Sequence, residues 1–264
     1  MKNSSKEKQI KNIGIYFIPN IFTVVLPLLH LPLVLRNLSP QEYGVYTVSL
    51  GLASIFLSFS GFSLLDVYER NFFLYKEEKI NARLLSTNVS FVVVSFFLFG
   101  SVLYFLKGIV PHLFFGLKIN FNLFFIVFFG LGFKTIMLFY LVFLKNLGNS
   151  SFHVSINLGC SFLSVVLDLL FVVILKIGVI GLGYSLLISN FTIFLFLCLY
   201  FAIKKGYSFR LKLLIESLKI SIPLIPKSLL TVFGKQFDKY FLGIIVSMGG
   251  AGVYSISQRI SNLS

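Results

Sequence analysis

The stretch that decides the fold is residues 177–203, IGVIGLGYSLLISNFTIFLFLCLYFAI, which contains no charged side chain. A helix that crosses the hydrocarbon core of a bilayer needs about 20 predominantly apolar residues, so this stretch predicts a membrane-spanning helix. The whole chain has the same character: 57% of its 264 residues are hydrophobic, 12% are charged, and the mean hydropathy is +0.93. Soluble domains contain about 25% charged residues, and a water-soluble fold is therefore excluded.

Similar apolar stretches recur along the chain. A window of about 19 residues predicts spans at residues 13–35, 44–65, 84–106, 119–144, 152–175, 177–203 and 220–247. The predicted fold class is all-α: a polytopic membrane helix bundle with about seven full transmembrane helices plus the start of an eighth.

The net charge of +14 acts mainly as a topology signal. If the N-terminus is cytoplasmic, most of the 23 basic residues fall in internal segments, as the preference of Lys and Arg for the cytoplasmic side requires. A nucleic-acid partner would need basic residues clustered on a folded soluble face. No predicted loop is large enough to supply such a face, so we expect no nucleic-acid binding.

The polar connections also limit the chemistry. The longest, residues 66–83, is too short to hold an ATPase, kinase or glycosyltransferase domain. His30, His112 and His153 are scattered over three regions, and both cysteines lie in apolar stretches, so neither a metal site nor a disulfide framework is predicted. We therefore expect a protein that is not an enzyme and that needs no bound cofactor.

Polar residues form stripes on four predicted spans, taking about 100° of rotation per residue. The stripes contain Asn157, Ser161, Ser164 and Asp168 in the fifth span; Thr47, Gly51, Ser54, Ser58 and Gly61 in the second; Asn20, Thr23, Pro27 and His30 in the first; and Ser185, Ser189 and Thr192 in the sixth. A single stripe is more often a contact where small residues let helices approach. Four stripes together favour a water-filled cavity shared by the bundle.

The seventh predicted span carries four charges on one face: Lys227, Lys235, Asp238 and Lys239. They extend over roughly 18 Å of helix, and a single ammonium at the bilayer centre costs at least ~2.5 kcal/mol. This face is predicted to line a cationic cavity that holds an anionic ligand. The alternative is that Asp238 pairs with Lys235 while the other two lysines extend to opposite interfaces.

Two further charges lie inside predicted spans. Lys134, in the fourth, is assigned to the same cationic cavity. Asp168, in the fifth, either exchanges a proton or a sodium ion during transport or is a structural acid held by neighbouring hydroxyls or by Lys134; the sequence leaves both open.

The chain also contains an internal repeat. Residues 43–49, YGVYTVS, recur as residues 251–257, AGVYSIS, at an offset of 208 residues. Repeated helical halves are common in transporters, so residues 1–206 are predicted to form a six-helix lobe and residues 207–264 the start of a second, incomplete lobe. We expect a truncated chain or part of a longer protein, because residues 252–264 are too short to cross the bilayer.

Four motifs, in this order and spacing, carry a resemblance to a known family: LRNLSPQEYGVY at 35–46, IPLIP at 222–226, FDKYFLG at 237–243 and GVYS at 252–255. The chain resembles the polysaccharide-exporter branch of the multidrug/oligosaccharidyl-lipid/polysaccharide superfamily, the bacterial O-antigen and lipid-linked oligosaccharide flippases. The family usually has Arg at the position of Lys239.

The resemblance implies a two-lobed transporter in the bacterial cytoplasmic (inner) membrane that serves cell-surface polysaccharide biosynthesis. Such a protein translocates a polyprenyl-pyrophosphate-linked oligosaccharide by alternating access, surrounded by membrane lipids and working with a polysaccharide polymerase and other assembly proteins. The lysines would bind pyrophosphate, while Asp168, Asp238 and Asp66 would couple transport to an H⁺ or Na⁺ gradient or serve as structural acids. Arg36 and Arg70 would gate the two mouths or anchor helix ends.

Three other functions stay open at this point. A multidrug-type exporter of the same superfamily would favour a cavity rich in carboxylates. A polytopic membrane enzyme acting on lipid-linked sugars would need a cluster of His, Asp or Arg at one interface, which the sequence does not show. A truncated product that transports nothing is the third.

Overall fold

The computed structural model describes residues 25–26, 29–75, 77–108 and 120–261, and in these ranges the chain is helical and contains no strand. The helices are α1 (Leu31–Leu35), α2 (Pro40–Ser60), α3 (Leu64–Phe72), α4 (Glu78–Phe105), α5 (Phe121–Asn146), α6 (Ser150–Asp168), α7 (Val179–Lys205), α8 (Leu211–Ser221), α9 (Ile225–Ile245) and α10 (Met248–Ser261). A π-helical segment, Leu169–Ile174, continues α6. The predicted class, a polytopic helical bundle, is confirmed.

Five of the described helices are long and apolar enough to cross a membrane: α2, α4, α5, α6 with its π-helical extension, and α7. The first predicted span lies largely outside the described residues, and α1 is its last part. The seventh predicted span is interrupted by a 3-10 turn at Ile222–Leu224 before α9 begins. The charges of α9 leave it outside the five apolar spans. The short helices α3 and α8 lie mostly within residues 66–83 and 204–219, which separate predicted spans.

The start of α2 is fixed by local chemistry. The Ser39 hydroxyl accepts a hydrogen bond from the Glu42 backbone N–H (3.2 Å), and the Glu42 carboxylate accepts one from the Ser39 N–H (2.8 Å). Pro40 stands at the first helical position, where its missing N–H costs nothing. The Ser-Pro-Gln-Glu part of the first motif is therefore a capping box that begins α2.

α5 is the central helix of the bundle, and it packs against α2, α4 and α7. Its contacts are built largely from phenylalanine rings. Phe96 of α4 lies against Phe128 with ring centroids 5.3 Å apart, and it also contacts Phe133 at 5.8 Å. Gly132 leaves the space for this ring, because a Cβ there would lie 2.1 Å from Phe96 Cε2.

α2 and α10, which begin at the two copies of the repeat, cross in close contact. A Cβ on Gly44 would lie 1.7 Å from the carbonyl oxygen of Met248, and a Cβ on Gly252 would lie 2.4 Å from that of Pro40. Both glycines and both first helical residues are related by the repeat offset of 208 residues. The contact is therefore reciprocal, and the two helices meet as equivalent elements.

This crossing yields a stability prediction. Replacing Gly44 with alanine should lower the melting temperature of the purified protein, because the Met248 carbonyl is backbone and α10 must move away; overpacking of this kind costs about 1–3 kcal/mol. The measurement is the loss of monodisperse protein on heating.

Gly159 provides a matched control inside α6, since a Cβ there meets nothing within 4 Å. Gly159→Ala should leave stability unchanged or raise it by up to about 1 kcal/mol through helix propensity. Equal melting temperatures for the two variants would contradict the close contact at Gly44.

Candidate functional site: two cavities that share Lys134

A polar cavity of about 380 Å³, here cavity A, lies inside the bundle. It is bounded by α1, α2, α5, α6, α7 and α10. The whole predicted stripe of α6 lines it. Its polar lining residues are His30, Tyr43, Tyr46, Lys134, Asn157, Ser161, Ser164, Asp168, Ser189, Asn190 and Arg259. Such a surface offers many hydrogen-bonding groups and two cations to a polar occupant.

A second cavity of about 340 Å³, here cavity B, is bounded by α2, α3, α5 and α9. Its polar lining includes Ser54, Ser58, Asp66, Thr135 and Ser228. Lys134 lines this cavity as well as cavity A. One ammonium group is therefore accessible from both cavities.

The two cavities are offset along α2 and meet at α5. Cavity A is lined by Tyr43 and Tyr46, near the start of α2, and cavity B by Ser54 and Ser58, near its end. Lys134 lies near the middle of α5. This arrangement places the shared cation between two compartments.

Asp168 in cavity A is paired with a histidine. His30 Nε2 lies 3.0 Å from Asp168 Oδ2, and both residues are buried. The sequence analysis proposed neighbouring hydroxyls or Lys134 as partners of this acid. Its partner is His30, the residue immediately before α1. The sequence feature that points to this pair is the position of His30 in the polar stripe of the first predicted span.

Asp168 is also the last residue of the regular part of α6, and the wider π-helical turn follows it directly. π-helical turns inside helices occur frequently at functional sites. The acid therefore lies where the helix geometry changes.

Arg259 is a charged lining residue of cavity A that the sequence did not predict. It belongs to α10, and its guanidinium carbon lies 5.7 Å from the centroid of the Tyr43 ring on α2, which is cation–π range. The Tyr43 hydroxyl is buried and has no hydrogen-bond partner among the described residues. The sequence feature that could have identified Arg259 is its charge within an apolar segment of the second copy of the repeat.

The charges of α9 lie elsewhere than predicted. Lys227, Lys235 and Asp238 are exposed and Lys239 is half-buried, and none of the four lines cavity A or B. Asp238 accepts a hydrogen bond from the Tyr254 hydroxyl at 2.9 Å, so it does not form the alternative pair with Lys235 either. The reason is the orientation of α9, which turns other residues towards α2 and α3.

Two contacts fix that orientation. The hydroxyls of Ser228 and Ser63 lie 2.7 Å apart. The Gln236 side chain packs against the backbone at Gly51, where a Cβ would lie 3.2 Å from its Oε1 atom. The cavity-lining cations that the structure brings together are therefore Lys134 and Arg259.

The other predicted site residues divide into three groups. Asn20 lies outside the described residues. The Thr47 hydroxyl is buried and donates to the Gly44 carbonyl of its own helix at 3.0 Å, so it lines neither cavity. Arg36 and Arg70 are exposed at the ends of α1 and α3, positions that suit the predicted anchoring role.

A family model described as polysaccharide biosynthesis protein matches residues 10–263. No curated protein matches the chain significantly.

Solved structures share the fold. A MOP superfamily transporter from Pyrococcus furiosus, whose binding pocket is described as having reverse polarity, is 18% identical with a TM-score of 0.66 over 96% of this chain and 60% of that one. A MATE protein in complex with Br-NRF is 17% identical, with a TM-score of 0.64 over 96% and 62%. An outward-facing multidrug resistance MATE family transporter is 16% identical, with a TM-score of 0.64 over 96% and 60%. The chain thus spans about three-fifths of the length of these structures.

The two cysteines allow a test of cavity A. Cys160 lines cavity A, whereas Cys198 lines an apolar groove between α4 and α7. Only a thiolate reacts with a charged methanethiosulfonate reagent, and a thiolate needs water. In membrane-embedded protein, Cys160 should therefore react at least about tenfold faster than Cys198, measured by mass spectrometry of the labelled peptides.

The Cys160→Ala variant, which retains only Cys198, serves as the control and should lose the fast phase. Preferential labelling of Cys198 would show that cavity A is dry.

Proposed function

Because the chain belongs to the polysaccharide biosynthesis protein family, we propose that it acts as a flippase for polyprenyl-pyrophosphate-linked oligosaccharide in the bacterial cytoplasmic membrane. In this proposal it supplies cell-surface polysaccharide biosynthesis, with its N-terminus in the cytoplasm. The polysaccharide polymerase and other assembly proteins that use the product are its expected partners. The chain performs no covalent step, since it moves the substrate from one leaflet to the other.

The observation that carries the proposal is the position of Lys134 between the two cavities. Pyrophosphate forms strong charge-assisted hydrogen bonds with ammonium and guanidinium groups, and Lys134 can meet it from either compartment. Arg259 adds a second cation within cavity A. The headgroup would thus keep one electrostatic contact while it passes from one cavity to the other.

The remaining lining of cavity A suits the sugars. Asn157, Ser161 and Asn190 present amide and hydroxyl groups, and the buried Tyr43 hydroxyl has no partner among the described residues. Sugar hydroxyls both donate and accept hydrogen bonds, so they can satisfy such groups. The polyprenyl chain stays in the surrounding hydrocarbon, where its apolar surface costs nothing.

We assign the coupling step to Asp168. Its buried pair with His30 can take up or release a proton, or Asp168 can exchange a sodium ion, and Tyr43, Tyr46, Lys134 and Arg259 line the same cavity. A change of charge at Asp168 would alter its attraction to both cations of the cavity. Substrate affinity and the state of the acid are in this way linked through the electrostatics of one compartment.

A multidrug-type exporter is the second candidate, because multidrug MATE structures share the fold. Cationic drugs would meet Lys134 and Arg259 in cavity A, where the Asp168 carboxylate is already paired with His30. The charge of the cavity therefore disfavours this candidate. Transport assays with both substrate classes separate the two, and failure to move either would support a chain that transports nothing by itself.

Lys134→Gln tests the proposed site. In vesicles that contain the purified chain, this variant should weaken binding of a fluorescent polyprenyl-pyrophosphate-linked oligosaccharide about tenfold, equivalent to about 1.4 kcal/mol, because the shared ammonium is lost. Translocation to the outer leaflet is read in parallel by quenching with a membrane-impermeant reductant.

Lys219→Gln removes the same charge from the exposed surface of α8 and should leave binding unchanged. Equal affinities for the two variants, or transport of a cationic dye in place of the lipid-linked sugar, would contradict the proposal.

Asp168→Asn tests the coupling step separately. Asparagine keeps the size of the side chain and a hydrogen bond to His30, so the variant should fold and bind substrate, but a transmembrane pH or sodium gradient should no longer accelerate translocation. The measurement is the ratio of initial rates with and without each gradient. Asp66→Asn removes the carboxylate of cavity B, and loss of gradient response in this variant alone would move the coupling role to Asp66.

A further inference from the structure

A third cavity, of about 300 Å³, forms a groove on the side of the bundle between α4 and α7. Its α4 wall runs from Ala82 to Val94, roughly 18 Å of helix, and residues three or four apart line it. Its α7 wall includes Phe194, Cys198 and Phe201, and Tyr140 of α5 also lines it. We call this the α4–α7 groove, and it shares no lining residue with cavity A or B.

The walls of the groove are mainly apolar. α4 and α7 each pack on α5, and the space between them is left open along the groove. Atoms that face an empty gap lose the dispersion contacts that a filled one provides. In a bilayer, a lipid acyl chain would supply these contacts.

The part of the groove nearest the start of α4 is polar, because the segment after α7 crosses it at Ser86 and Ser90. α7 ends at Lys205 and is followed by Gly206, which has a positive φ of 71° that suits glycine. The Tyr207 hydroxyl then lies 2.9 Å from the Ser90 hydroxyl, and the Ser208 carbonyl accepts a hydrogen bond from the Ser86 hydroxyl at 2.6 Å. This segment is the connection between α7 and α8.

The polar end is also positively charged. The Thr87 hydroxyl donates to the Arg83 carbonyl at 2.7 Å and accepts from the Arg210 backbone N–H at 3.1 Å, so the two arginines begin close to the same residue. Neither guanidinium has an ion-pair partner among the described residues, whereas the nearby Lys205 is paired with Glu78. The backbones of two arginines that have no ion-pair partner among the described residues therefore lie next to the polar part of the groove, within side-chain reach of it, although neither arginine lines it.

We propose that the α4–α7 groove binds an anionic glycerophospholipid of the membrane, with one acyl chain in the groove and the headgroup phosphate at Arg83 and Arg210. Planar guanidinium groups match phosphate oxygens in a bidentate manner. The bound lipid holds the α7–α8 connection against α4. It is a resident lipid, distinct from any transported substrate, and its site is independent of cavities A and B.

The experiment uses the absence of tryptophan from the chain. Val94→Trp places the single fluorophore in the groove, and Val102→Trp places it on the same helix outside the residues that line the groove; the two valines are 58% and 53% exposed. Each variant is reconstituted with brominated phosphatidylglycerol or brominated phosphatidylcholine, whose bromines quench tryptophan on contact. At Val94→Trp the anionic lipid should be preferred about fivefold, and at Val102→Trp neither lipid should be preferred.

The charge requirement is tested in the Val94→Trp background. Replacing Arg83 and Arg210 with Gln should abolish the preference for the anionic lipid. Replacing Lys212 and Lys219 with Gln removes two charges from α8, outside the groove, and should leave the preference intact.

Three results would overturn the proposal. The first is an equal preference at both tryptophan positions, and the second is a preference that survives the loss of both arginines. The third is relief of quenching by a low mole fraction of unbrominated polyprenyl phosphate, which would assign the groove to an isoprenoid lipid.

Discussion

The whole arrangement depends on the cost of placing the Lys134 ammonium inside a membrane. α5 is a strongly apolar helix with this charge near its middle, and an ammonium at the bilayer centre costs at least ~2.5 kcal/mol unless it meets polar groups or water. The bundle meets this requirement by leaving cavities on both sides of the residue, one lined by α6 and α7 and the other by α2 and α3. The phenylalanine packing of α4 against α5 closes the remaining side. The Lys134 ammonium, which would be unfavourable in lipid, is thereby accessible from both cavities.

The close crossing of α2 and α10 determines which groups join Lys134. Glycine at positions 44 and 252 lets the two backbones approach, and the approach brings Arg259 over the Tyr43 ring and into the wall of cavity A. A larger residue at either glycine would move α10 outward and carry the guanidinium away from the cavity. The contact between Gly44 and Gly252 therefore determines both how the two copies of the repeat pack and where the Arg259 charge lies in cavity A.

The sequence predicted the helical class and grouped the polar residues of α6 on the face that lines cavity A, because helical periodicity is a local property. Lys134, which the sequence assigned to one cavity with the lysines of α9, lines cavities A and B without them. The sequence could not predict that His30 pairs with Asp168, since the two residues are separated by 138 positions and their contact depends on how α1 lies against the π-helical end of α6. The lysines of α9 show that a correctly predicted helix face can still point away from the predicted cavity. Their common face was read from the sequence, but the face that α9 presents to the bundle is selected by Ser228, Gln236 and the proline-marked break before the helix. Arg259 was overlooked because one charge on a short helix has no periodicity to place it.

The separation of polar and apolar surfaces on the bundle has a consequence for an amphipathic substrate. A lipid-linked sugar must keep its headgroup wet and its chain dry at every stage of the movement, or it pays the desolvation cost of one part or the other. Cavities A and B supply hydrogen-bonding groups within the bundle, and the surface towards lipid is covered by exposed hydrophobic side chains on α4, α6 and α7. Under the proposed function, the headgroup would move past Lys134 only if an opening between helices let the chain remain outside. Cavity B is bounded by α9, which packs on α2 and α10 and whose side chains are mostly exposed. A helix with so little burial can separate from its neighbours at a lower cost than α5 can leave the core.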